Sequence, residues 1–263
     1  MHELTVNGVQ IAFERQQGSG TPLVLIHGFP LDHNSWDALL PHLEGADVLL
    51  PDLRGFGGSA VVDGTYTIAD MAQDVIALLD ALKIEKAAIV GHSMGGYVAL
   101  EMARKVPGRV AGLGLVSTQT LPDAPDRKAG RYATAEKVGD QGSVVVADSM
   151  APKLSADPQH VSALHKLILG QPPAGVMGAL AAMAERADST DLLPTFKFPV
   201  VIVHGLADAL IPVERSREMK ALIPQASLTE IADVGHMPML DAPVETAKAL
   251  KGGLIGGLDM AAG

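Results

Sequence analysis

The chain has 263 residues, of which 48% are hydrophobic and 19% charged, a composition that supports a folded core and excludes a disordered chain. The 30 acidic residues outnumber the 20 Lys and Arg, and the formal charge of −10 would repel nucleic-acid phosphates and anionic membranes. The absence of Cys excludes disulfides, thiolate metal sites and cysteine nucleophiles. We therefore expect a globular protein with neither a nucleic-acid nor a membrane partner.

The first predicted element is an antiparallel hairpin, because Glu3–Val6 and Val9–Glu14 alternate around Asn7-Gly8, a pair typical of type I′ turns. Further apolar runs lack alternation, as strands buried on both faces of a parallel sheet do. These runs are Leu23–Ile26, Val48–Leu50, Ala87–Val90, Val110–Val116 and Pro199–Val203, and the strand-like Ser227–Ile231 follows them.

Helical periods lie between these runs, at Ser35–Leu43, Ile68–Leu82, Met94–Lys105 and Val213–Leu222. Thr67 and Asp70 have the spacing of a capping box at the start of the second helix. Because strands and helices alternate, the pattern predicts an α/β fold whose eight-stranded, mostly parallel sheet is covered by helices on both faces.

The alternation stops between about Thr120 and Leu193, where helical patterns are broken by Pro152, Pro158 and the Pro172-Pro173 pair. We interpret residues 120–193 as a helical cap inserted into a core of residues 1–119 and 194–263. The Gly-rich tail from Lys251 onward is expected to fray. The uncharged run Leu167–Ala184 contains Pro172 and Pro173 and is too interrupted for a membrane span, and since Met1–Gln10 does not read as a signal peptide, we expect a cytoplasmic location.

Gly91-His92-Ser93-Met94-Gly95-Gly96 stands between a predicted strand and a predicted helix. A turn this sharp strains the backbone of Ser93, and the glycines let strand and helix pass without Cβ clashes. It would present the serine hydroxyl at the carboxyl end of the sheet. The pattern therefore indicates a nucleophile rather than a simple helix cap.

A serine nucleophile needs a base, and the base needs an orienting acid. His236 stands in a loop after Ser227–Ile231, and Asp208 lies just beyond Pro199–Val203, so both would reach the same edge of the sheet. Asp123, near the end of the sixth strand, is the alternative acid, whereas Asp233 and Asp241 are expected to cap turns or the last helix. The chain order Ser93, Asp208, His236 matches that of one hydrolase architecture.

Two further loops, His27-Gly28-Phe29-Pro30 and Asp52-Leu53-Arg54-Gly55-Phe56-Gly57-Gly58-Ser59, complete a resemblance that runs from about Val9 to Leu250. With them the chain resembles serine hydrolases of the α/β-hydrolase fold, in their esterase and cofactor-free haloperoxidase branch. The resemblance implies that the backbone N–H groups of Phe29 and Met94 form the oxyanion hole and that residues 120–193 are the cap. It implies no cofactor and no metal. Ser93, where dehalogenases and epoxide hydrolases of this fold have aspartate, argues against those two chemistries.

The other polar residues have structural interpretations. His27 and His204 are expected to be buried and hydrogen-bonded, with His27 bracing the oxyanion loop, and His92 has no required role. His160 and His165 are expected on the solvated surface. An ion pair between Asp52 and Arg54 is expected to hold their Gly-rich turn.

The resulting hypothesis is a serine carboxylesterase for short to medium aliphatic esters, with an acyl-enzyme on Ser93. The preference follows from the cap, which contains a single aromatic residue, Tyr132. Lactonases, enol-lactonases, C–C bond hydrolases and perhydrolases use the same three residues and stay open as alternatives. A ligand receptor of the same fold is the alternative from a different class. The only partner implied is a small-molecule ester.

Overall fold

The computed structural model describes residues 1–62 and 64–255. Its centre is an eight-stranded sheet with the strand order β1-β2-β4-β3-β5-β6-β7-β8. The strands are β1 His2–Val6, β2 Val9–Gln16, β3 Ser19–Ile26, β4 Ala46–Pro51, β5 Ala87–His92, β6 Val110–Val116, β7 Val200–Gly205 and β8 Ser227–Ile231. Only β2 runs antiparallel to its neighbours, β1 and β4. The predicted mostly parallel sheet is confirmed.

The opening hairpin is also confirmed. Asn7 and Gly8 both have positive φ, at 51° and 75°, as the two central residues of a type I′ turn require. The central strands β4, β5, β6 and β7 are buried at every residue, which explains why their sequences do not alternate.

Helices flank the sheet, and those outside residues 120–193 have the bounds α1 Ile68–Ala81, α2 Met94–Lys105, α7 Glu214–Leu222, α8 Pro238–Asp241 and α9 Pro243–Leu250. The predicted capping box is present, since the Thr67 hydroxyl accepts from the Asp70 N–H while the Asp70 carboxylate accepts from the Thr67 N–H. The single helix predicted over Ser35–Leu43 is wrong. Two 3-10 helices, His33–Trp36 and Leu40–Leu43, form instead, because Pro41 has no N–H to donate to an α-helical turn.

Four helices connect β6 to β7, namely α3 Pro125–Gln141, α4 Val144–Leu154, α5 Pro158–Leu169 and α6 Pro173–Ala184. Pro158 and Pro173 each begin a helix, where a missing N–H costs nothing. The expected break at Pro152 is wrong: this residue lies in the last turn of α4, where one lost hydrogen bond is tolerated. The division into core and cap at residues 120–193 stays a prediction.

At the carboxyl end, Lys251–Ile255 continue α9 as a π-helical turn, and Leu254 is buried. The expectation that the tail frays is therefore wrong for these five residues. For residues 256–263 the expectation lies outside the described part of the chain. Among the described residues, no single helix is both long and apolar enough to span a membrane. Helices α5 and α6 reach that length and hydropathy only when taken together, and they are bent by 101°.

Candidate active site

Ser93 lies in the turn between β5 and α2, and its backbone adopts φ 51° and ψ −112°. Residues other than glycine rarely occupy this region, which costs about 1–3 kcal/mol. A Cβ at Gly91 would lie 2.1 Å from the Gly95 oxygen, and a Cβ at Gly95 would lie 2.3 Å from the Ile26 oxygen. The turn therefore requires glycine on both sides, and the predicted strain at Ser93 is confirmed. Ser93 itself is partly exposed.

His236 and Asp208 are in direct contact. The distance from His236 Nδ1 to Asp208 Oδ2 is 2.7 Å, and both side chains are almost completely buried, with 2% and 1% of their surface exposed. The other carboxylate oxygen, Oδ1, accepts the backbone N–H groups of Leu210 at 2.8 Å and Ile211 at 3.0 Å. Both oxygens of Asp208 thus have donors.

Burial alone would raise the pKa of Asp208, but the adjacent His236 and the two backbone donors outweigh it and hold the pKa below its usual range. The carboxylate is therefore ionised at neutral pH. An ionised Asp208 fixes the proton of His236 on Nδ1, which leaves the His236 Nε2 lone pair available to accept a proton.

His92 joins His236 to the serine turn. Its Nε2 donates to the His236 carbonyl oxygen at 2.9 Å, and the centroids of the two imidazole rings are 4.9 Å apart. His236 is thereby held next to the residue that precedes Ser93. The structure thus brings Asp208 and His236 together and places them beside the turn, while the Ser93 hydroxyl makes no hydrogen bond within residues 1–62 and 64–255.

The interpretation of His92 as having no required role missed this bond, which joins residues 144 positions apart and leaves no local signal in the sequence. Burial, and then the neighbouring His236, lower the pKa of His92 to about 3, so its ring is neutral. A neutral ring that donates from Nε2 has a lone pair on Nδ1, and this buried atom has no partner among the described residues.

The loop after β3 lies beside the serine turn, because β3 and β5 are adjacent parallel strands. The N–H groups of Phe29 and Met94 form no backbone hydrogen bond within the part of the chain that the structure describes. His27 braces this loop as expected, since its Nδ1 donates to the Gly28 oxygen at 2.9 Å and its Nε2 accepts from the Leu53 N–H at 3.0 Å. Burial lowers the pKa of His27, consistent with a neutral ring.

The expected ion pair between Asp52 and Arg54 is wrong. Arg54 instead forms a bidentate pair with Asp74 of α1, at 2.6 and 2.7 Å. Asp52 accepts from His33 Nδ1 and from the Gly58 N–H, both at 2.8 Å. The turn is thus held by two separate interactions with other segments, which local sequence could not specify.

The alternative carboxylates have other partners. Asp123 lies among Arg131 and Arg186, and these arginines help to keep its pKa low despite burial, which would raise it. Asp233 is exposed in a turn with φ 58°. None of the hydrogen bonds in the described residues connects Asp123 or Asp233 to His236, and of these carboxylates only Asp208 is hydrogen-bonded to its ring.

Asp241 was expected to cap a turn or the last helix, and it binds two loops instead of the helix end. Its carboxylate accepts the N–H of Gly235 at 2.9 Å and that of Ala156 at 3.0 Å, and so joins the loop before His236 to the α4–α5 connection. His160 lies 3.2 Å from the same carboxylate and His165 is 2.8 Å from Asp148. Both histidines are half-exposed and paired, rather than freely solvated.

One group of described residues, Asp32, His33 and Asp52, has ligand atoms close enough together to hold a metal ion. Its donors and acceptors are already paired, however. Asp32 accepts from Asn34 and Gln171, and Asp52 accepts from His33. A metal would have to displace these hydrogen bonds, and we interpret the group as a structural network.

A serine on a strained strand-to-helix turn, next to a buried Asp–His pair at the carboxyl edge of a mostly parallel sheet, defines the class of α/β hydrolases. The family model described as alpha/beta hydrolase fold matches residues 21–243, and the chain belongs to this family.

Among solved structures, the chain is similar to an esterase from Thermogutta terrifontis with malate bound, at 38% identity and a TM-score of 0.91, over 95% of this chain and 96% of that one. Lipase 3 of Moraxella sp. (strain TA144) is 27% identical over 92% of this chain and 80% of the lipase. The dihydrolipoyllysine-residue acetyltransferase component of the acetoin cleaving system of Pseudomonas putida is 35% identical over 88% of this chain. The chain spans 62% of that protein's length.

Proposed function

We propose that the protein is a serine carboxylesterase that hydrolyses short to medium aliphatic esters through an acyl-enzyme on Ser93. The observation that carries the proposal is the 2.7 Å contact between His236 Nδ1 and the buried, ionised Asp208, next to the strained turn of Ser93. The 38% identity to an esterase over nearly the full length of both chains supports the same activity.

In the acylation step, Ser93 Oγ attacks the ester carbonyl carbon while His236 Nε2 takes the hydroxyl proton. The carbonyl oxygen becomes an oxyanion, which accepts the N–H groups of Phe29 and Met94. Asp208 stays ionised and stabilises the imidazolium of His236. Collapse of the tetrahedral intermediate breaks the bond to the alcohol oxygen, which takes the proton from His236, and an acyl-Ser93 ester is left.

In the deacylation step, His236 Nε2 removes a proton from water and the resulting hydroxide attacks the acyl carbon. The same two N–H groups hold the second oxyanion. Ser93 then leaves with the proton from His236, and the carboxylic acid is released. One base thus serves both halves of the reaction.

The preference for aliphatic acyl groups rests on the side chains of helices α3 to α6. The single aromatic residue of these helices, Tyr132, is exposed and donates its hydroxyl to Glu185. The large buried side chains of these helices are aliphatic: Val138, Val146, Leu154, Leu164, Ile168, Val176, Leu180 and Met183. A pocket lined by side chains of this kind would suit short, flexible acyl chains better than planar rings, which gain from stacking on aromatic residues.

The first test measures release of p-nitrophenol from acetate, butyrate, octanoate and laurate esters by the wild type, Ser93→Ala and Ser149→Ala. Ser149 is an exposed serine of α4 and serves as the matched control. We expect Ser93→Ala to lower kcat about 10⁴-fold or more, as removal of a serine nucleophile does in serine proteases, and Ser149→Ala to leave it unchanged. Full activity in Ser93→Ala would refute Ser93 as the nucleophile. A preference for laurate would refute the proposed preference for short to medium acyl chains.

A lactone and a C–C substrate with a cleavable diketone are included in the same assay, because these reactions need the same nucleophile and base. Turnover of either, without turnover of any ester, would replace the esterase by that activity. If every compound is turned over slowly and a ligand promotes binding of a second protein, the result would favour the alternative function as a ligand receptor.

A further inference from the structure

A second histidine lies near Asp208, close to the same carboxylate oxygen that contacts His236. His204, near the end of β7, is completely buried, and its Nε2 is 2.9 Å from the Ile211 carbonyl oxygen and 3.3 Å from Asp208 Oδ2. Its other ring nitrogen, Nδ1, is 2.8 Å from the hydroxyl of Ser216 in α7, which is also completely buried.

The surroundings fix the proton of this ring. Burial lowers the pKa of His204 and outweighs the nearby Asp208, so the ring is neutral and carries one N–H. Nε2 faces two acceptor oxygens and must hold that proton. Nδ1 then has a lone pair, and the Ser216 hydroxyl is its donor. Ser216 thus complements, at Nδ1, the tautomer in which His204 Nε2 donates to the Ile211 carbonyl oxygen.

The hydrogen bond that His204 Nε2 donates affects the position of the Asp208 carboxylate. The segment from Asp208 to Ile211 is a tight turn whose N–H groups, from Leu210 and Ile211, hold Asp208 Oδ1. His204 Nε2 donates to the carbonyl oxygen of Ile211 in the same turn and lies 3.3 Å from Oδ2, the atom that contacts His236. The other titratable groups that act on the pKa of His204 are His236, which lowers it, and Glu230 of β8, which raises it.

We propose that His204, oriented by Ser216, is a positioning residue that fixes the Asp208 carboxylate against His236. The inference rests on the proposed function, because it assigns a task within the same site. A bond path runs from Ser216 through His204 and the 208–211 turn to Asp208 and His236.

The test compares His204→Phe, His204→Gln, Ser216→Ala and Ser59→Ala. His204→Phe keeps a ring and loses both nitrogens, whereas the amide of His204→Gln can place a donor near the position of Nε2. Ser216→Ala removes a single oxygen. Ser59 is the matched control, a buried serine whose hydroxyl donates to the Asp52 carbonyl, away from Asp208.

Two quantities are measured: kcat and KM on p-nitrophenyl butyrate, and the low-field proton resonance of His236 Nδ1–H. We expect His204→Phe and Ser216→Ala to lower kcat about 10-fold, as loss of a partner that orients a functional group does, with little change in KM. The resonance should shift or broaden in both. His204→Gln should recover most of kcat, and Ser59→Ala should keep both the wild-type kcat and the wild-type resonance.

Wild-type kcat and resonance in Ser216→Ala and in the folded His204 variants would overturn the proposal. Equal losses in His204→Phe and His204→Gln would also overturn it, since the ring would then act by packing alone. If His204→Phe does not fold, Ser216→Ala decides the question. If the wild type hydrolyses no ester, the proposed function fails, and the resonance still reports whether His204 positions the Asp208–His236 pair.

Discussion

Asp208 is ionised in the candidate site although its side chain is almost completely buried. Replacing it by Asn keeps the size of the side chain but removes the charge that fixes the His236 proton and offsets the imidazolium. We expect Asp208→Asn to lower kcat about 10⁴-fold, as the equivalent change does in serine proteases. Assays with p-nitrophenyl butyrate, with the exposed Asp233→Asn as control, check this. A loss smaller than 10-fold would assign the orienting role to another group.

His92 makes stability depend on pH. Its folded-state pKa of about 3 is below the ordinary value of 6.5, so the unfolded chain binds this proton more readily. The contribution is fully present above pH 6.5 and is lost as the pH falls towards 3, by at most roughly 1.4 kcal/mol per pH unit. We expect His92→Gln, which does not titrate, to lose less stability than the wild type on acidification.

Urea unfolding of both proteins at pH 7.5, 6 and 5 measures this difference. The other titrating groups are common to the two chains and cancel in the comparison. Two free energies of unfolding that fall in parallel would contradict the burial of a neutral His92.

At the scale of elements, the Arg54–Asp74 pair ties the loop after β4 to α1. The two side chains are 8% and 1% exposed, so removal of one partner leaves a buried charge. We expect Arg54→Met to lower the free energy of unfolding by about 3–5 kcal/mol, and Arg54→Met/Asp74→Leu to recover most of it. Urea titrations of the two variants and the wild type test this. A double variant no more stable than the single one would show that the pair acts through more than its charges.

Elements defined by nearby residues could be predicted from the sequence, because short-range physical chemistry decides them. The capping box of Thr67 and Asp70, the Asn7-Gly8 turn and the apolar runs of the central strands all lie where they were expected. The helix predicted over Ser35–Leu43 was wrong because the prediction rested on the apolar period and did not take into account that Pro41 has no N–H to donate.

In the candidate site, the local patterns predicted Ser93, Asp208 and His236, since each follows a strand end, and the structure brings Asp208 and His236 into contact. The partners that act across the chain gave no signal. The bonds from His92 to His236, from Arg54 to Asp74 and from Asp241 to Gly235 depend on which segments the fold brings together. No local pattern in a single sequence shows which residues at such distant positions contact each other.

At the scale of the whole molecule, the formal charge of −10 acts on any charged substrate. An ester that also carries a carboxylate approaches against like charge, whereas a neutral ester of the same size does not. We expect the ratio of kcat/KM for the anionic ester to that for the neutral one to rise about two-fold or more between about 10 and 150 mM salt. Over that range the screening length falls from about 30 to about 8 Å.

Rates for a dicarboxylic hemi-ester and its neutral analogue at several salt concentrations give this ratio. A ratio that does not change with salt would mean that positive potential near the candidate site cancels the charge of the rest of the molecule.

The residues proposed to perform the chemistry all follow β3, β5, β7 or β8, and none belongs to the four helices between β6 and β7. The proposed function therefore assigns bond breaking and substrate admission to different parts of the chain, which meet where Asp241 joins the loop before His236 to Ala156. If residues 120–193 act as the proposed cap, we expect their exchange for the corresponding segment of a relative, with the Ala156–Asp241 contact kept, to alter which ester is admitted. The rate of the bond-breaking step would then be inherited from strands that the exchange leaves untouched.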